Sequence, residues 1–119
     1  MEHDAITLLE PVTAPVERYQ LASTKRIEGD PQQSVWQQYA DPSGKFFTGI
    51  WHSEIGKWRI NYTEEEYCHI LEGISTITSQ DGDSITVTAG ARFVIPRGFA
   101  GTWEVVEPTR KIYVIYEAG

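Results

Sequence analysis

The sequence predicts an all-β fold, either a sandwich or a barrel of short antiparallel strands. Apolar and polar residues alternate with period two in short segments such as WRINY at residues 58–62, which is typical of a strand with one buried face. Turn signals rich in Gly, Pro and Asp separate these segments at regular spacing. No segment calls for a helix longer than one or two turns, so the chain lacks the pattern of a helical or mixed fold.

Ten strands are predicted in chain order. They comprise residues 6–9, 35–39, 45–52, 58–62, 66–71, 74–78, 84–88, 91–95, 102–106 and 111–116. The first is short and would lie at a sheet edge, whereas residues 16–27 fit no single pattern. The strand at 45–52 is rich in aromatic and β-branched residues and follows the turn signal DPSG at 41–44.

The remaining boundaries rest on turn residues. The segment DGD at 81–83 predicts a hairpin turn, and Pro96 ends the strand before it. Glu72-Gly73 and Glu107-Pro108-Thr109 are read as turns in the same way. Residues 66–78 and 102–116 are therefore each predicted to form two separate strands.

Length and composition indicate a single domain. The chain has 119 residues, of which 40% are hydrophobic and 23% charged, which suffices for a core without disulfides. We expect an N-terminal arm at residues 1–28, with the possible edge strand, and one domain at residues 29–119. The single cysteine cannot form an intrachain disulfide.

Charge and hydropathy exclude several partners. Seventeen acidic and ten basic side chains give a net charge of −7, which argues against binding to nucleic acid or to anionic membranes. No apolar segment approaches the ~20 residues that cross a bilayer, and no signal peptide is seen at the N-terminus. We therefore expect a cytoplasmic protein.

Glu66 is the main indication of a functional site. In a strand over residues 66–71, Glu66 shares a face with Cys68 and Ile70, while His69 lies on the opposite face. A carboxylate on an apolar face is costly unless it is paired, bound to a metal or placed in a wet cavity. This strand is therefore expected to line a site.

Several motifs resemble those of a known family. Glu66 and Gly73, with six residues between them, resemble the end of the first cupin motif, and Gly90, Pro96 and Gly98 resemble the start of the second. The segments GIW at 49–51 and RKIYVIYE at 110–117 are similar to those of small single-domain cupins grouped with the ureidoglycine aminohydrolase cupin domain. The resemblance implies a double-stranded β-helix, which is a jelly roll of the RmlC-like cupin barrel type.

The metal-binding positions of that family depart from its pattern. A metal-binding cupin has His-x-His three or four residues ahead of the glutamate, where this chain has Ile60 and Tyr62 or Arg59 and Asn61. The histidine expected in the second motif is Gly101 here. Because one carboxylate does not hold a transition metal tightly, we expect no bound metal cofactor. A weak site that joins Glu66 to His52 and Cys68 stays open as an alternative.

The candidate site comprises Glu66 and Tyr62 as catalytic residues and a set of ligand-binding residues, which are Trp51, His52, Trp58, Cys68 and Trp103. Each has a structural alternative. Glu66 could be neutralised by Arg59, Arg92 or Tyr62, Cys68 could be a small buried hydrophobe, and the indoles could fill the core.

These features predict a cupin that binds a small metabolite, either carboxylated or nitrogen-containing, with little or no bound metal. One alternative is an enzyme of ureidoglycine aminohydrolase-like type with Glu66 as general base. Another is a non-catalytic sensor or accessory domain. We expect a homodimer, in which the N-terminal arm and the strand at 111–116 would pair with a second chain.

Overall fold

The computed structural model describes residues 5–118, and every regular element in this range is a strand. The nine strands are β1 (Glu17–Gln20), β2 (Arg26–Glu28), β3 (Gln32–Ala40), β4 (Phe46–Ser53), β5 (Gly56–Asn61), β6 (Glu65–Ser79), β7 (Ser84–Val87), β8 (Arg92–Ile95) and β9 (Ala100–Tyr116). All pair antiparallel. The all-β prediction is confirmed.

Two long strands organise the fold, and the prediction that each would be two separate strands is wrong. β6 and β9 each continue through the residues that were predicted as turns. The pairing register between them shifts from Ile70 to Ser75, so the chain bends there instead of reversing. Gly73 makes the bend possible, since it has φ +96° and a Cβ there would lie 2.1 Å from the carbonyl oxygen of Pro108.

The bends place the two halves of each long strand in different layers. The first half of β6 pairs with the second half of β9, and the second half of β6 pairs with the first half of β9. One layer has the order β1-β3-β4-β9-β6-β8, and the other has the order β2-β5-β9-β6-β7. The sheet thereby curls into the jelly roll that the resemblance implied.

The N-terminal region differs from the prediction in part. No strand forms at residues 6–9, where Ile6 and Leu8 are mostly exposed. Residues 17–20 and 26–28, within the segment described above as an arm, form β1 and β2 and pair with β3 and β5. This region therefore contributes strands to both layers.

The prediction that the strand at residues 111–116 pairs with a second chain is wrong. Residues 111–116 lie in the interior of a layer, with β4 on one side and β6 on the other. Both rows of backbone hydrogen-bonding groups are therefore used within the chain.

The core lies between the two layers. Its buried hydrophobic residues are Trp51, Trp58, Cys68, Ile70, Ile77, Val87, Ile95, Trp103, Val105 and Tyr113. Glu66 and Lys111 are buried among them, at 4% and 5% exposure. Within residues 5–118 no helix has the length and apolar character needed to cross a membrane.

Candidate functional site

A cavity of about 280 Å³ opens between the two layers. Seven aromatic side chains, three charged ones and several others line it. These are Tyr19, Gln33, Val35, Gln37, Phe47, Trp51, Trp58, Ile60, Tyr62, Glu64, Glu66, Trp103, Lys111, Tyr113 and Ile115. An aromatic wall with a few polar groups is the usual composition of a small-molecule site.

Glu66 reaches this cavity from β6, as its alternation with Cys68 and Ile70 predicted. Its neighbours across the strand are Ile95 on β8 and Ile115 on β9. A carboxylate at 4% exposure between apolar neighbours requires a compensating charge or donor.

Lys111 supplies that charge. Its Nζ atom lies 3.0 Å from Glu66 Oε2, and the two side chains are 6% and 5% exposed. The basic partner of Glu66 is therefore Lys111, and not Arg59 or Arg92 as predicted from the sequence. The signal was present, because Lys111, Tyr113 and Ile115 alternate on one face of β9, and all three line the cavity.

The Lys111 ammonium is also enclosed by two indoles and a thiol. Trp51 is its cross-strand neighbour on β4, and Nζ lies 4.7 Å from that ring centroid and 4.3 Å from the ring centroid of Trp103. Cys68 Sγ lies 3.7 Å from Nζ. Burial by itself lowers the pKa of Lys111, but Cys68 and Glu66 more than offset it and the net pKa is raised. Lys111 is therefore a charged ammonium at neutral pH.

Tyr62 holds the second oxygen of Glu66. The phenol hydroxyl donates a hydrogen bond of 2.5 Å to Oε1. The Tyr62 backbone is fixed in turn by hydrogen bonds with Phe99 and Gly98, in the loop that follows Pro96. Burial and the adjacent carboxylate raise the pKa of Tyr62 far above its ordinary range, so the phenol stays a neutral donor. Both Glu66 oxygens therefore have a partner in the chain.

Three indoles pack edge to face next to the ion pair. The ring centroid of Trp51 lies 6.1 Å from that of Trp58 and 5.6 Å from that of Trp103. Trp51 Nε1 donates to Gln33 Oε1 at 3.3 Å, and Trp103 Nε1 donates to Ser75 Oγ at 3.1 Å. The indoles are thus part of the core and line the cavity at the same time.

Cys68 is fully buried behind the ion pair and does not line the cavity. Burial is the largest influence and raises the pKa of its thiol to about 12, although Lys111 acts in the opposite direction. A protonated thiol is a poor nucleophile and a poor metal ligand. Cys68 was predicted to bind the ligand. In the structure it contacts Lys111 and does not reach the cavity.

His52 does not join the site, contrary to the set of Glu66, Cys68 and His52 considered above. It follows Trp51 on β4 and so points to the other face of the strand, where its cross-strand neighbour is Arg110. Burial and the Arg110 charge lower the pKa of His52. Its side chain is not among those that line the cavity.

The donor atoms at the cavity do not fit a metal ion. Across residues 5–118, no group of three or more His, Cys, Asp or Glu side chains is placed to hold one. The Lys111 ammonium already contacts the Glu66 carboxylate and would repel a second cation. Gly101, the position of the missing histidine, packs so closely that a Cβ there would lie 1.9 Å from the Thr78 carbonyl oxygen.

The sequence model of the EutQ-like cupin domain matches residues 40–113. This match confirms the cupin part of the resemblance, while the ureidoglycine aminohydrolase-like part stays a prediction. No protein with a curated description matches the chain.

Solved structures from several organisms share this fold. A DUF861-family protein of unknown function from Pseudomonas syringae is 20% identical with a TM-score of 0.78, over 87% of this chain and 45% of that protein. This chain thus spans less than half of the Pseudomonas protein. A DUF861-family protein from Thermotoga maritima is 36% identical with a TM-score of 0.53, and the match covers 54% of this chain and 73% of that protein. The Clostridium difficile EutQ protein is 18% identical with a TM-score of 0.66, and the match covers 84% of this chain and 82% of that protein.

Proposed function

The chain belongs to the EutQ-like cupin domain family, and on that premise we propose that it binds a small metabolite in the barrel cavity without a tightly bound metal. The observation that carries this proposal is the buried pair of Glu66 and Lys111 at a cavity with an aromatic wall. Natural cores seldom keep a desolvated ion pair for stability alone, because apolar residues of similar size stabilise as well or better. A pair that faces a cavity is thus well suited to fix the orientation of a ligand.

Two ligand classes fit the polar atoms at the pair. Each Glu66 oxygen accepts one hydrogen bond from the chain and has a second lone pair, which can accept from a nitrogen-containing ligand. The Lys111 ammonium has three N–H donors, and its contact with Cys68 Sγ at 3.7 Å is a weak one that a carboxylated ligand could replace. The aromatic wall would hold the apolar part of either ligand.

The enzyme alternative receives less support from these contacts. A general base must accept a proton from its substrate. Each Glu66 oxygen already accepts a hydrogen bond from the chain, one from Tyr62 and one from Lys111, which leaves fewer positions for a substrate proton. Ammonia release from ureidoglycine-like substrates is the assay for this alternative, and a Glu66→Gln variant as active as the parent would exclude Glu66 from the mechanism.

Tryptophan fluorescence tests the binding proposal. Three of the four tryptophans line the cavity, whereas Trp36 lies against Arg110 on the outer face of β3. We expect a small carboxylate, amine or amide from a metabolite panel to change the emission in a saturable manner. The change should persist in Trp36→Phe and shrink in Trp58→Phe. Saturable emission changes that are as large in Trp58→Phe as in the parent would contradict binding in this cavity.

Self-association stays part of the proposal for this protein, with β1, β2, β7 and β8 as the strands that each pair with a single neighbour within the described residues. Size-exclusion chromatography with light scattering measures it. A monomer at micromolar concentration would contradict the homodimer and leave ligand binding unaffected.

A further inference from the structure

We propose that Lys111 is a resident cation of the barrel, and that its ammonium takes the place of the metal ion in metal-binding cupins. The side chain is covalently attached to β9, so this cation cannot dissociate from the barrel as a bound metal ion can. This inference goes beyond the proposed function, because it concerns the protein without any ligand.

The contacts of Nζ are those of a built cation site. A carboxylate oxygen lies at 3.0 Å, a sulfur atom at 3.7 Å, and two indole faces have their centroids at 4.3 and 4.7 Å. These groups come from the strands β4, β6 and β9, which the antiparallel register brings together. An anion, a polarisable sulfur atom and two π faces all favour a positive charge at their centre.

Nζ also contacts the residue that the family pattern uses as a metal ligand. Glu66 is the one family ligand that this chain keeps, and Nζ contacts that same carboxylate. Of the two residue pairs at the histidine positions, Ile60 and Tyr62 line the cavity, and Tyr62 donates to Glu66. In this chain, a covalently attached cation thus contacts the glutamate that would bind a metal ion in a metal-binding cupin.

A resident cation implies that the surrounding groups form a receptor for an ammonium ion. Lys111→Ala removes the outer part of the side chain, which corresponds closely to propylammonium. The variant should leave the Glu66 carboxylate buried without its counter-ion, and so should unfold at a lower temperature than the parent. Added propylammonium should occupy the vacated position and restore stability.

The test is the unfolding temperature of Lys111→Ala as a function of propylammonium concentration. At about ten times its dissociation constant, the ion should raise this temperature by roughly 5 °C relative to sodium at equal ionic strength. The parent and the exposed-lysine control Lys45→Ala should show no such increase. In Lys111→Ala/Glu66→Gln, the increase should be absent or much smaller.

Three results would overturn the proposal. The first is a Lys111→Ala variant as stable as the parent. The second is an equal rise in unfolding temperature with propylammonium in all variants. The third is an undiminished rise in Lys111→Ala/Glu66→Gln. The ligand-binding experiment above can succeed or fail independently of each of them.

The parent protein provides a measurement that holds even if Lys111→Ala does not fold. In a ¹⁵N-labelled sample at neutral pH, the buried ammonium should give a slowly exchanging Nζ signal with proton contacts to the indoles of Trp51 and Trp103. The solvated ammonium of Lys45 should give none, because its protons exchange rapidly with water. The absence of a protected signal from Lys111 would overturn the proposal.

Discussion

Lys111 Nζ lies 3.0 Å from Glu66 Oε2, and both side chains are almost entirely removed from solvent. The two residues come from adjacent antiparallel strands that meet between the layers of the barrel. Each charge is tolerated in the interior because the other is present. The stability of the barrel and the chemistry of its cavity therefore depend on the same pair.

Glu66→Gln should destabilise the protein by ~3–5 kcal/mol, because it leaves the Lys111 ammonium buried without its counter-ion. The exposed pair of Arg110 and Glu72, with N–O distance 3.2 Å and side chains 36% and 60% exposed, provides a matched control. Glu72→Gln should cost less than ~1 kcal/mol. Urea unfolding measures both free energies, and equal costs for the two variants would contradict a desolvated ion pair.

Replacing both partners by apolar residues should cost less than removing one. In Glu66→Leu/Lys111→Met no buried charge remains, so the double variant should be more stable than Glu66→Leu alone. A double-mutant cycle by urea unfolding gives the coupling between the two residues. Additive costs would show that the side chains do not interact in solution.

Tyr62→Phe should destabilise the protein by ~1.5–3 kcal/mol, since it removes the hydroxyl that donates to Glu66 Oε1 and leaves this oxygen unsatisfied. Tyr116 is 50% exposed, and Tyr116→Phe should be close to neutral. Thermal and urea unfolding of the two variants provide the comparison. If Tyr62→Phe were as stable as Tyr116→Phe, the hydrogen bond to Glu66 would be refuted.

The protein should lose stability steeply from about pH 9 to about pH 12. Burial raises the pKa of Cys68 from 9.0 to about 12 and that of Tyr113 from 10.0 to about 12. The pKa of Lys111 is likewise above its ordinary value of 10.5, the raising effects of Cys68 and Glu66 outweighing burial. Each group keeps its proton in the folded state at a pH where the unfolded chain has released it. Unfolding therefore releases protons, and stability falls as the pH rises.

Urea unfolding at successive pH values measures this dependence. Lys111→Met lacks one of these groups and should lose stability less steeply over the same range. A stability that stays constant or rises between pH 9 and 12 would contradict the protonation states assigned to these groups.

Gly73→Ala should prevent stable folding or cost several kcal/mol, because the added Cβ would lie 2.1 Å from the Pro108 carbonyl oxygen. Gly82 has a similar φ of +93°, but a Cβ added there would meet nothing within 4 Å, so Gly82→Ala isolates the backbone strain. We expect that variant to cost only ~1 kcal/mol. Comparable unfolding temperatures for the two variants would show that β6 and β9 do not approach each other at the bend.

Period-two alternation predicted the fold class and the inward direction of Glu66, because both depend on neighbours within one strand. The continuity of β6 and β9 could not be predicted in this way. Gly73 and Pro108 are strong turn residues, and only the contact between the two bends turns them into a bulge. Local residue preferences cannot predict that contact, because Gly73 and Pro108 are far apart in the sequence.

Lys111 shows a second limit. A lysine at the start of a strand is usually solvated, and its burial depends on Glu66, which lies 45 residues earlier in the chain. The alternation of Lys111 with Tyr113 and Ile115 did point inward, but the partner is fixed only by the pairing of β6 with β9. His52 is a different case, because its alternation with Trp51 places the two side chains on opposite faces of the strand, and both could not line one cavity.

The metal content of the purified protein tests the exchange of a metal ion for Lys111 most directly. The parent protein is expressed in medium that contains zinc, iron, nickel, copper and manganese. Elemental analysis should find far less than one ion per chain, and a chelator should leave the unfolding temperature unchanged. One transition-metal ion per chain in the parent, lost in Glu66→Gln, would contradict the account.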